Sequence, residues 1–224
     1  PRSTHCISSA ASDVYKRQGE CLMLDAGVTM TALRNKRVRL KGISAVLCTH
    51  QHTDHSKAIK ELAFRGKDIY LLEATKKALA LEGYRFIPIE ALKKFFIGNV
   101  SIMPFGLHHD VPNVGFLISH EEEKALYLTD TSYCDYTFKE VNTLIVECNY
   151  SEDWVTKDAR FKRLIRTHFG LGNVIKFLQA NDQSVLGEVH LVHLSSGNAN
   201  EEFIREKVSE VISPGCALFI PPEN

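Results

Sequence analysis

The chain has 224 residues, of which 44% are hydrophobic, and its 27 basic side chains balance 27 acidic ones, so we expect one compact domain rather than a disordered chain. No apolar stretch approaches the ~20 residues of a membrane span, and the first residues lack a signal peptide's charged start and apolar run, so we expect a cytoplasmic protein without a membrane partner. A neutral chain does not attract polyanions as a whole, and holding one requires a local patch or a metal centre.

Strand-like and helical patterns alternate over the first part of the chain. Apolar runs predict buried strands, and Ala58, Ile59 and Leu62 share a helical stripe that ends at Gly66. The predicted strands are residues 20–27, 42–50 and 68–73, and the predicted helices are residues 56–66 and 74–83.

Two hairpins then interrupt the alternation. Residues 93–110 contain a Gly-Asn turn at 98 and 99, and an acidic turn divides residues 114–131 into two strands. The alternation resumes with predicted strands at 143–149, 188–194 and 216–220, and predicted helices at 151–166, 171–181 and 200–211. Antiparallel hairpins combined with strand-helix units predict two sheets packed face to face, with helices outside.

Side chains that commonly bind metals crowd the stretch "THQHTDH", which follows the second predicted strand. Strand-like alternation puts His50 and His52 on one side, while Asp54 and His55 fall at the turn into a helix capped near Ser56. Imidazole and carboxylate bind zinc and related divalent metals, and such a group can serve two ions. A polar loop with incidental histidines is the alternative, which suits one histidine better than this set.

Further metal-binding side chains follow later apolar runs. His108 and His109 lie in "GLHHD", Asp130 lies in "YLTDT", and His190 and His193 lie in "VHLVHLSSGN". A scaffold presents functional side chains from the ends of such rigid elements. We therefore expect these residues to extend the same site.

The six cysteines never show the two-residue spacing of a structural zinc site. Cys21, Cys48 and Cys148 lie in apolar runs, where a reduced cysteine behaves as a small hydrophobic residue. We interpret all six as free thiols. The alternative is a thiolate metal ligand, for which Cys134 is the best candidate because it follows Asp130 by four residues.

These motifs resemble those of the metallo-β-lactamase superfamily. "THQHTDH" matches its signature, and "LDAG", "HHD", "LTDT" and "HLSSGN" match its other motifs in order, over about residues 19–220. The resemblance implies the αββα sandwich of this superfamily, an α+β fold. It also implies that Asp25, in "LDAG", is a carboxylate that orients a metal ligand.

The resemblance further implies two divalent metal ions held by seven ligands. The family pattern prefers His109 to His108, because the ligand directly precedes an aspartate, and prefers His193, because it leads into "LSSGN". The implied ligands are His50, His52 and His109 for one ion, Asp54, His55 and His193 for the other, and Asp130 as a bridge. Zinc is the expected metal and manganese the alternative, because all donor atoms are nitrogen and oxygen.

The resemblance is closest to the small single-domain branch of bacterial and phage-encoded phosphodiesterases, which includes exodeoxyribonuclease-like proteins. Class B lactamases replace the last motif histidine or supply a cysteine, and β-CASP nucleases insert a second domain. We therefore expect cleavage of a nucleic acid or another phosphodiester, with a hydroxide activated between two metals. The alternatives are a hydrolase of small lactones or thioesters and a non-catalytic metal-binding protein, against which the intact ligand set argues.

Several residues are expected to act on the substrate. Asp54 is expected to orient the attacking hydroxide as well as bind metal. His168, in "RTHFGLGN", lies where histidines of the nuclease branches protonate the leaving oxygen, although a surface histidine is an equal alternative. The backbone amides of "SSGNAN" offer an anion site in which Ser195, Ser196 and Asn198 are the expected substrate-binding residues, the alternative being a helix cap.

Residues 1–18 depart from the family pattern. They read "PRSTHCISSAASDVYKRQ", without useful periodicity, and "SAASDVYKRQ" resembles a translated sequencing-adaptor artefact. We expect a non-native or disordered segment here, followed by a metallo-β-lactamase-fold domain at residues 19–224 that lacks its native first strand. A native flexible tail is the alternative.

Overall fold

The computed structural model describes residues 13–17, 20–36, 38–155, 159–195 and 197–220. Two sheets dominate these ranges. The first sheet has the spatial order β1-β2-β3-β4-β5, formed by Asp13–Arg17, Glu20–Leu24, Ala45–Leu47, Asp68–Leu72 and Phe86–Ile89. The second runs from β12 to β6 in reverse chain order, and β6 to β12 are Phe95–Ile97, Val100–Leu107, Asn113–His120, Glu123–Leu128, Thr143–Glu147, Glu188–Val192 and Ala217–Phe219.

Helices connect the parallel strands and cover the outer faces of the sheets. In chain order, α1 to α7 are Met30–Asn35, Thr53–Ser56, Ile59–Phe64, Glu73–Ala78, Ala159–Thr167, Leu171–Ala180 and Glu201–Ser209. Strands β2 to β5 pair in parallel, as do β9 to β12, whereas β6 to β9 form antiparallel hairpins. Each sheet therefore has parallel strands whose carboxyl ends can present side chains along one edge.

Alternation of side chains along the strands separates the apolar layers. In β2, Leu22 and Leu24 join the core between the two sheets. Cys21 and Met23 point the other way, into the core that α1 and α3 share with the first sheet. The second sheet does the same, with Ile145 between the sheets and a separate core beneath α6 and α7. Three apolar layers between four structural layers confirm the predicted αββα sandwich.

The secondary structure differs from the sequence-based prediction mainly in short elements. The helix predicted over residues 56–66 is divided into α2 and α3, and the helix expected from residue 151 begins at Ala159. Helix α1 and strand β5 were not anticipated, because six and four residues are too few to establish a periodic pattern. Both hairpins have the predicted turns, at residues 98–99 and 121–122.

Part of the N-terminal segment forms an edge strand. Residues 13–17 pair antiparallel with β2, from Asp13 opposite Leu24 to Arg17 opposite Glu20. The structure thus places residues 13–17 at the edge of the first sheet, and the expectation of a non-native or disordered segment at residues 1–18 stays a prediction. Residues 1–12 and 18 lie outside the described part of the chain.

The cysteines of the described residues are free thiols, and Cys6 lies outside these residues. Cys134 is buried with its Sγ 3.7 Å from the carbonyl oxygen of Tyr136. Among the described residues, no helix has the length and apolar character needed to cross a bilayer. The cytoplasmic location stays a prediction.

The glycine of the "LDAG" motif permits a close main-chain contact. A Cβ added to Gly27 would lie 1.4 Å from the main-chain oxygen of Asp54, so the loop after β2 and the start of α2 could not keep their present distance. We expect Gly27→Ala to lower the free energy of unfolding by about 2–4 kcal/mol in urea titrations, since overpacking displaces backbone.

Gly42→Ala is the matched control for this prediction. A Cβ at Gly42 meets nothing within 4 Å, and we expect this variant to change the free energy of unfolding by less than about 1 kcal/mol. Equal stability of the two variants would contradict the close-packing argument.

Candidate metal centre

Three residues of the candidate site have positive φ angles and lie just beyond the carboxyl ends of strands. Asp25 follows β2, Asp130 lies shortly after β9, and His193 follows β11, with φ angles of 56°, 52° and 57°. Positive φ is uncommon outside glycine, and aspartate and histidine are among the residues that adopt it more readily. Such strained turns are concentrated at functional sites, where surrounding contacts hold them in place.

Three imidazoles meet next to the carboxylate of Asp130. The Nδ1 atom of His52 lies 3.0 Å from His50 Nε2 and 3.2 Å from His109 Nε2. Asp130 Oδ2 lies 3.4 Å from His50 Nε2 and 3.8 Å from His109 Nε2. One ligand atom from each of these four residues lies within 4.8 Å of every other, as a common metal ion requires.

A second group of possible ligands includes the same aspartate. His55 Nε2 lies 3.0 Å from Asp130 Oδ2 and 3.7 Å from Asp54 Oδ2. The Nε2 atom of His193 lies 3.5 Å from Asp54 Oδ2. Ligand atoms of these four residues again lie within 4.8 Å of one another. The structure thus brings together the seven residues predicted as ligands, in two groups that share Asp130.

These distances fit a metal ion in each group. Zinc–nitrogen bonds of about 2.0–2.1 Å in tetrahedral geometry place neighbouring donor atoms about 3.3 Å apart, close to the separations within the first group. In the second group, His55 Nε2 is buried without a hydrogen-bond partner, although it lies close to Asp130. A buried nitrogen without a hydrogen bond is costly unless it coordinates something. The donor set is entirely nitrogen and oxygen and suits zinc or manganese.

The opposite ring nitrogens of three histidines are held by protein groups. His55 Nδ1 lies 2.8 Å from Asp25 Oδ2, His50 Nδ1 lies 3.0 Å from Thr49 Oγ1, and His109 Nδ1 lies 2.8 Å from the carbonyl oxygen of Thr167. Donation from Nδ1 to a carboxylate or carbonyl fixes the ring so that Nε2 faces the site. The position of Asp25 is therefore the one that its predicted orienting role requires.

The carboxylates create a site that favours positive charge. Burial lowers the pKa of His55, but the charge of Asp25 and the contact with Asp130 outweigh burial and raise this pKa to about 10. Burial raises the pKa of Asp130, but the charge of His193 and the close contacts with His50 and His55 outweigh burial and lower this pKa well below its usual value. The field that stabilises imidazolium also stabilises a divalent cation.

Glu147 is a site residue that the sequence analysis missed. It ends β10, is fully buried, and its Oε1 lies 2.6 Å from His168 Nδ1 and 2.8 Å from His193 Nδ1. Its Oε2 accepts hydrogen bonds from the main-chain amides of Thr131 and Phe169, each at 3.2 Å. A glutamate within the apolar run "TLIVECN" was the available signal, because an acidic side chain is rarely buried without a partner.

The predicted catalytic histidine borders the second group. The ring of His168 stacks on that of His193, with centroids 5.5 Å apart, and its Nδ1 lies 3.8 Å from Asp130 Oδ1. Burial lowers its pKa, but the hydrogen bond to Glu147 outweighs burial and raises the pKa above its usual value. The ring therefore keeps its proton to a higher pH than a free imidazole.

Other candidate residues lie apart from these groups. His108 points to Asp135, with Nε2 2.6 Å from Oδ2, and His190 stacks on Phe219. Among the described residues, the clusters of possible metal ligands do not include Cys134. The family preference for His109 over His108 and for His193 over His190 thus agrees with the geometry.

The loop after His193 contains the predicted substrate-binding residues. Asn198 Nδ2 donates to Ser195 Oγ at 2.9 Å, and the main-chain amide of Ser195 donates to the carbonyl of Asn149. Ser196 lies outside the described residues. The helix cap considered as an alternative is made by Asn200, whose side chain accepts a hydrogen bond from the amide of Phe203. Ser195 and Asn198 are therefore not needed as caps of α7.

Comparisons with known proteins agree with this architecture. A family model described as a beta-lactamase superfamily domain matches residues 21–193. Exodeoxyribonuclease YycJ of Bacillus anthracis is 27% identical over 220 residues, covering 85% of this chain and 80% of that protein. Exodeoxyribonuclease WalJ of Streptococcus pneumoniae is 27% identical over 139 residues, covering 56% of this chain and 52% of that protein.

A solved structure shows the same fold. The metallo-β-lactamase fold protein YhfI from Bacillus subtilis superposes with a TM-score of 0.76 at 20% sequence identity. The superposition covers 96% of this chain and 89% of that chain.

The two ligand groups predict two divalent metals per chain. Elemental analysis of protein purified without chelator should approach two transition-metal ions per chain, and His50→Ala and Asp130→Ala should each lower this number. We expect a larger loss for Asp130→Ala, because Asp130 belongs to both groups.

His108→Ala is the matched control, since this neighbour of His109 lies outside both groups. It should leave the metal content unchanged, and circular dichroism should show that all three variants remain folded. A folded parent protein with almost no metal, or an equal loss in the His108 variant, would contradict the assignment.

Proposed function

Because the chain belongs to the β-lactamase superfamily, whose family model spans residues 21–193, we propose that it is a dinuclear metal-dependent hydrolase that cleaves phosphodiester bonds in nucleic acid. Three four-residue groups of possible ligands share Asp130, and the third consists of Asp130, Glu147, His168 and His193. The observation that carries this proposal is the pair formed by the other two groups, which contain the seven residues described above. Two relatives named exodeoxyribonucleases support the phosphodiester as the substrate class.

Each donor group would hold one ion, with zinc as the proposed metal and manganese as the alternative. His50, His52 and His109 would hold the first ion, Asp54, His55 and His193 would hold the second, and Asp130 would contribute to both. Two bound divalent cations supply positive charge for the phosphoryl oxygens and make an attacking water more acidic. The protein's part is to orient the reactants and to move protons.

Asp54 is the accessible carboxylate of the site. Its side chain is 58% exposed, whereas that of Asp130 is only 2% exposed. The hydrogen bond with His193 lowers the pKa of Asp54, and the neighbouring imidazoles outweigh burial and lower the pKa of Asp130, so both carboxylates stay ionised. Of the two, Asp54 is the one that also meets solvent. We assign Asp54 the task of accepting a hydrogen bond from the attacking water and orienting it toward phosphorus.

His168 and Glu147 are arranged to protonate the leaving oxygen. Glu147 accepts from His168 Nδ1 at 2.6 Å, so the proton available to the substrate is the one on Nε2. The side chain of His168 is 21% exposed, which leaves the ring open to a substrate. A proton donated from Nε2 would neutralise the departing alkoxide, while Glu147 stabilises the charged ring before the transfer.

The loop of Ser195 and Asn198 completes the proposed site. It begins at the ligand His193, and its main chain is tied to the amide of Ser151 and the carbonyl of Asn149. A loop whose main chain is fixed directly after a proposed metal ligand can present polar groups to a phosphate without reorganising. We assign Ser195 and Asn198 to substrate binding beside the second ion.

Phosphodiester turnover is the direct test. Metal-loaded protein should hydrolyse single-stranded DNA, RNA or bis-p-nitrophenyl phosphate, and the activity should disappear with chelator. Asp54→Asn should lower the rate by at least about 10²-fold, because it weakens metal binding and water orientation together. Turnover of a lactone or thioester panel, with none of phosphodiesters, would replace the nuclease proposal by a carbonyl hydrolase.

The leaving-group dependence tests His168. We expect His168→Ala to keep its metal content but to hydrolyse a poor leaving group about 10²- to 10⁴-fold more slowly, the usual contribution of a general acid. Release of p-nitrophenolate needs little protonation and should slow far less.

The control for this experiment is His108→Ala, which removes an exposed histidine paired with Asp135 and should leave both rates unchanged. Equal losses for both leaving groups, or no loss in the His168 variant, would remove His168 from the mechanism.

A further inference from the structure

Helix α5 concentrates positive charge in a chain that has none overall. Its nine residues, "ARFKRLIRT", contain four basic side chains and no acidic one, whereas the whole sequence has 27 of each sign. Lys162, Arg163 and Arg166 are exposed. At about 100° per residue they share an arc of about 100° on one side of the helix. The exposed positive charges of α5 therefore lie together on one face of the helix.

The opposite side of α5 faces the protein. Phe161 packs edge-to-face against Tyr150, with ring centroids 6.2 Å apart, and Leu164 is half-buried on the same side. Thr167 Oγ1 donates to the carbonyl of Arg163. The apolar residues thus hold the helix on the domain and leave its cations toward solvent.

The basic face is continuous with the candidate metal centre. Arg163 Nη2 lies 3.1 Å from Asp110 Oδ2, and the other carboxylate oxygen of Asp110 lies 3.2 Å from His109 Nε2. At its carboxyl end, α5 accepts the hydrogen bond from His109 through the carbonyl of Thr167 and leads directly into His168. A polyanion bound along this face would therefore reach the proposed reaction site without a gap.

Two of the cations have no acidic partner among the described residues. Elsewhere, Arg65 at the end of α3 pairs with Glu61, and Lys77 of α4 pairs with Glu73. Within the described part of the chain, Lys162 and Arg166 have no carboxylate within 4.0 Å, and α5 itself supplies none. Unneutralised cations beside the site of a phosphodiesterase complement the charge of its substrate.

Two exposed aromatic side chains lie close in sequence to Asp130 and to α5. Tyr133 is 59% exposed three residues after Asp130, and Trp154 is 55% exposed in the segment before α5. Proteins that bind single-stranded nucleic acid combine cations along the backbone with aromatic rings on which bases stack. A membrane surface would instead require an extended exposed apolar face, whereas on α5 Phe161 and Leu164 are half-buried and Ile165 is 39% exposed.

We propose, on the basis of the function proposed above, that the face formed by Lys162, Arg163 and Arg166 binds the phosphates of a single nucleic-acid strand next to the scissile one. The substrate class then narrows to a polymeric strand, because a small phosphodiester cannot reach both α5 and the metals. Tyr133 and Trp154 offer stacking positions for its bases.

The test compares Lys162→Ala/Arg166→Ala with the matched pair Arg65→Ala/Lys77→Ala, which removes the same charge from α3 and α4. Arg163 is retained because it contacts Asp110. Binding of a short fluorescent oligothymidylate to the metal-loaded protein is measured by anisotropy across salt concentrations, with all variants built in the His168→Ala background, which is expected to keep the metal and to slow cleavage.

We expect the α5 variant to bind about tenfold or more weakly at ~0.1 M salt, with a slope of log Kd against log salt about 1.4 smaller, since each contacted phosphate of a single strand contributes about 0.7. The control pair should match the parent. An unchanged Kd and slope, or a parent that does not bind the oligonucleotide, would overturn the inference. So would binding to phosphatidylserine vesicles that depends on these two cations while DNA binding does not.

Turnover of bis-p-nitrophenyl phosphate by the otherwise unaltered protein separates this inference from the function on which it depends. Loss of DNA binding in the α5 variant, together with a parent inactive on every phosphodiester, would leave the binding surface established and the proposed activity wrong. If the parent is active on phosphodiesters but its DNA binding does not depend on α5, the proposed activity would stand and the proposed binding surface would be wrong.

Discussion

The carboxylate of Asp25 connects the two sheets at the point where the site is built. It accepts hydrogen bonds from the amide and hydroxyl of Thr49, which follows β3 of the first sheet. It also accepts a hydrogen bond from the hydroxyl of Tyr127, on β9 of the second sheet. Its remaining contact is the Nδ1 atom of His55. A buried carboxylate is costly to leave unpaired, so these donors must stay together. The same interaction therefore fixes the spacing of the sheets and the direction of a proposed metal ligand.

Glu147 has the corresponding role within the second sheet. Burial and the charge of Asp130 raise the pKa of Glu147. The hydrogen bonds from His168 and His193 outweigh both effects and lower this pKa below its usual value, so the carboxylate stays ionised. It also accepts hydrogen bonds from the main-chain amides of Thr131 and Phe169, the residues that follow Asp130 and His168 in the chain. One buried acid behind each half of the centre thus orients the histidines, while Asp130 lies between them. The arrangement explains how residues from distant parts of the sequence converge with little freedom.

The two-sheet sandwich and the residues around the centre could be predicted from the sequence because short neighbouring stretches of the chain carry the patterns that identify them. Each proposed ligand follows an apolar run, and a strand end is easy to recognise from such a run. Glu147 was missed because its partners, His168 and His193, are 21 and 46 residues away, and only the folded chain brings them together. Helix α1 and strand β5 escaped prediction for a different reason, since packing against the first sheet stabilises elements too short to show periodicity.

Although the chain has no net charge, negative charges are concentrated in the centre and positive charges are concentrated on α5 beside it. Carboxylates surround the imidazoles, and their field favours cations, whereas α5 presents cations outward to the solvent. Asp110 lies between these regions, with one oxygen toward His52 and His109 and the other toward Arg163. A site rich in carboxylates would repel a polyanion unless bound metals reversed its charge and nearby cations guided the strand. For the proposed nuclease, metal loading and the basic helix would therefore be two parts of one electrostatic requirement, and both would be needed to bring a phosphate to Asp54 and His168.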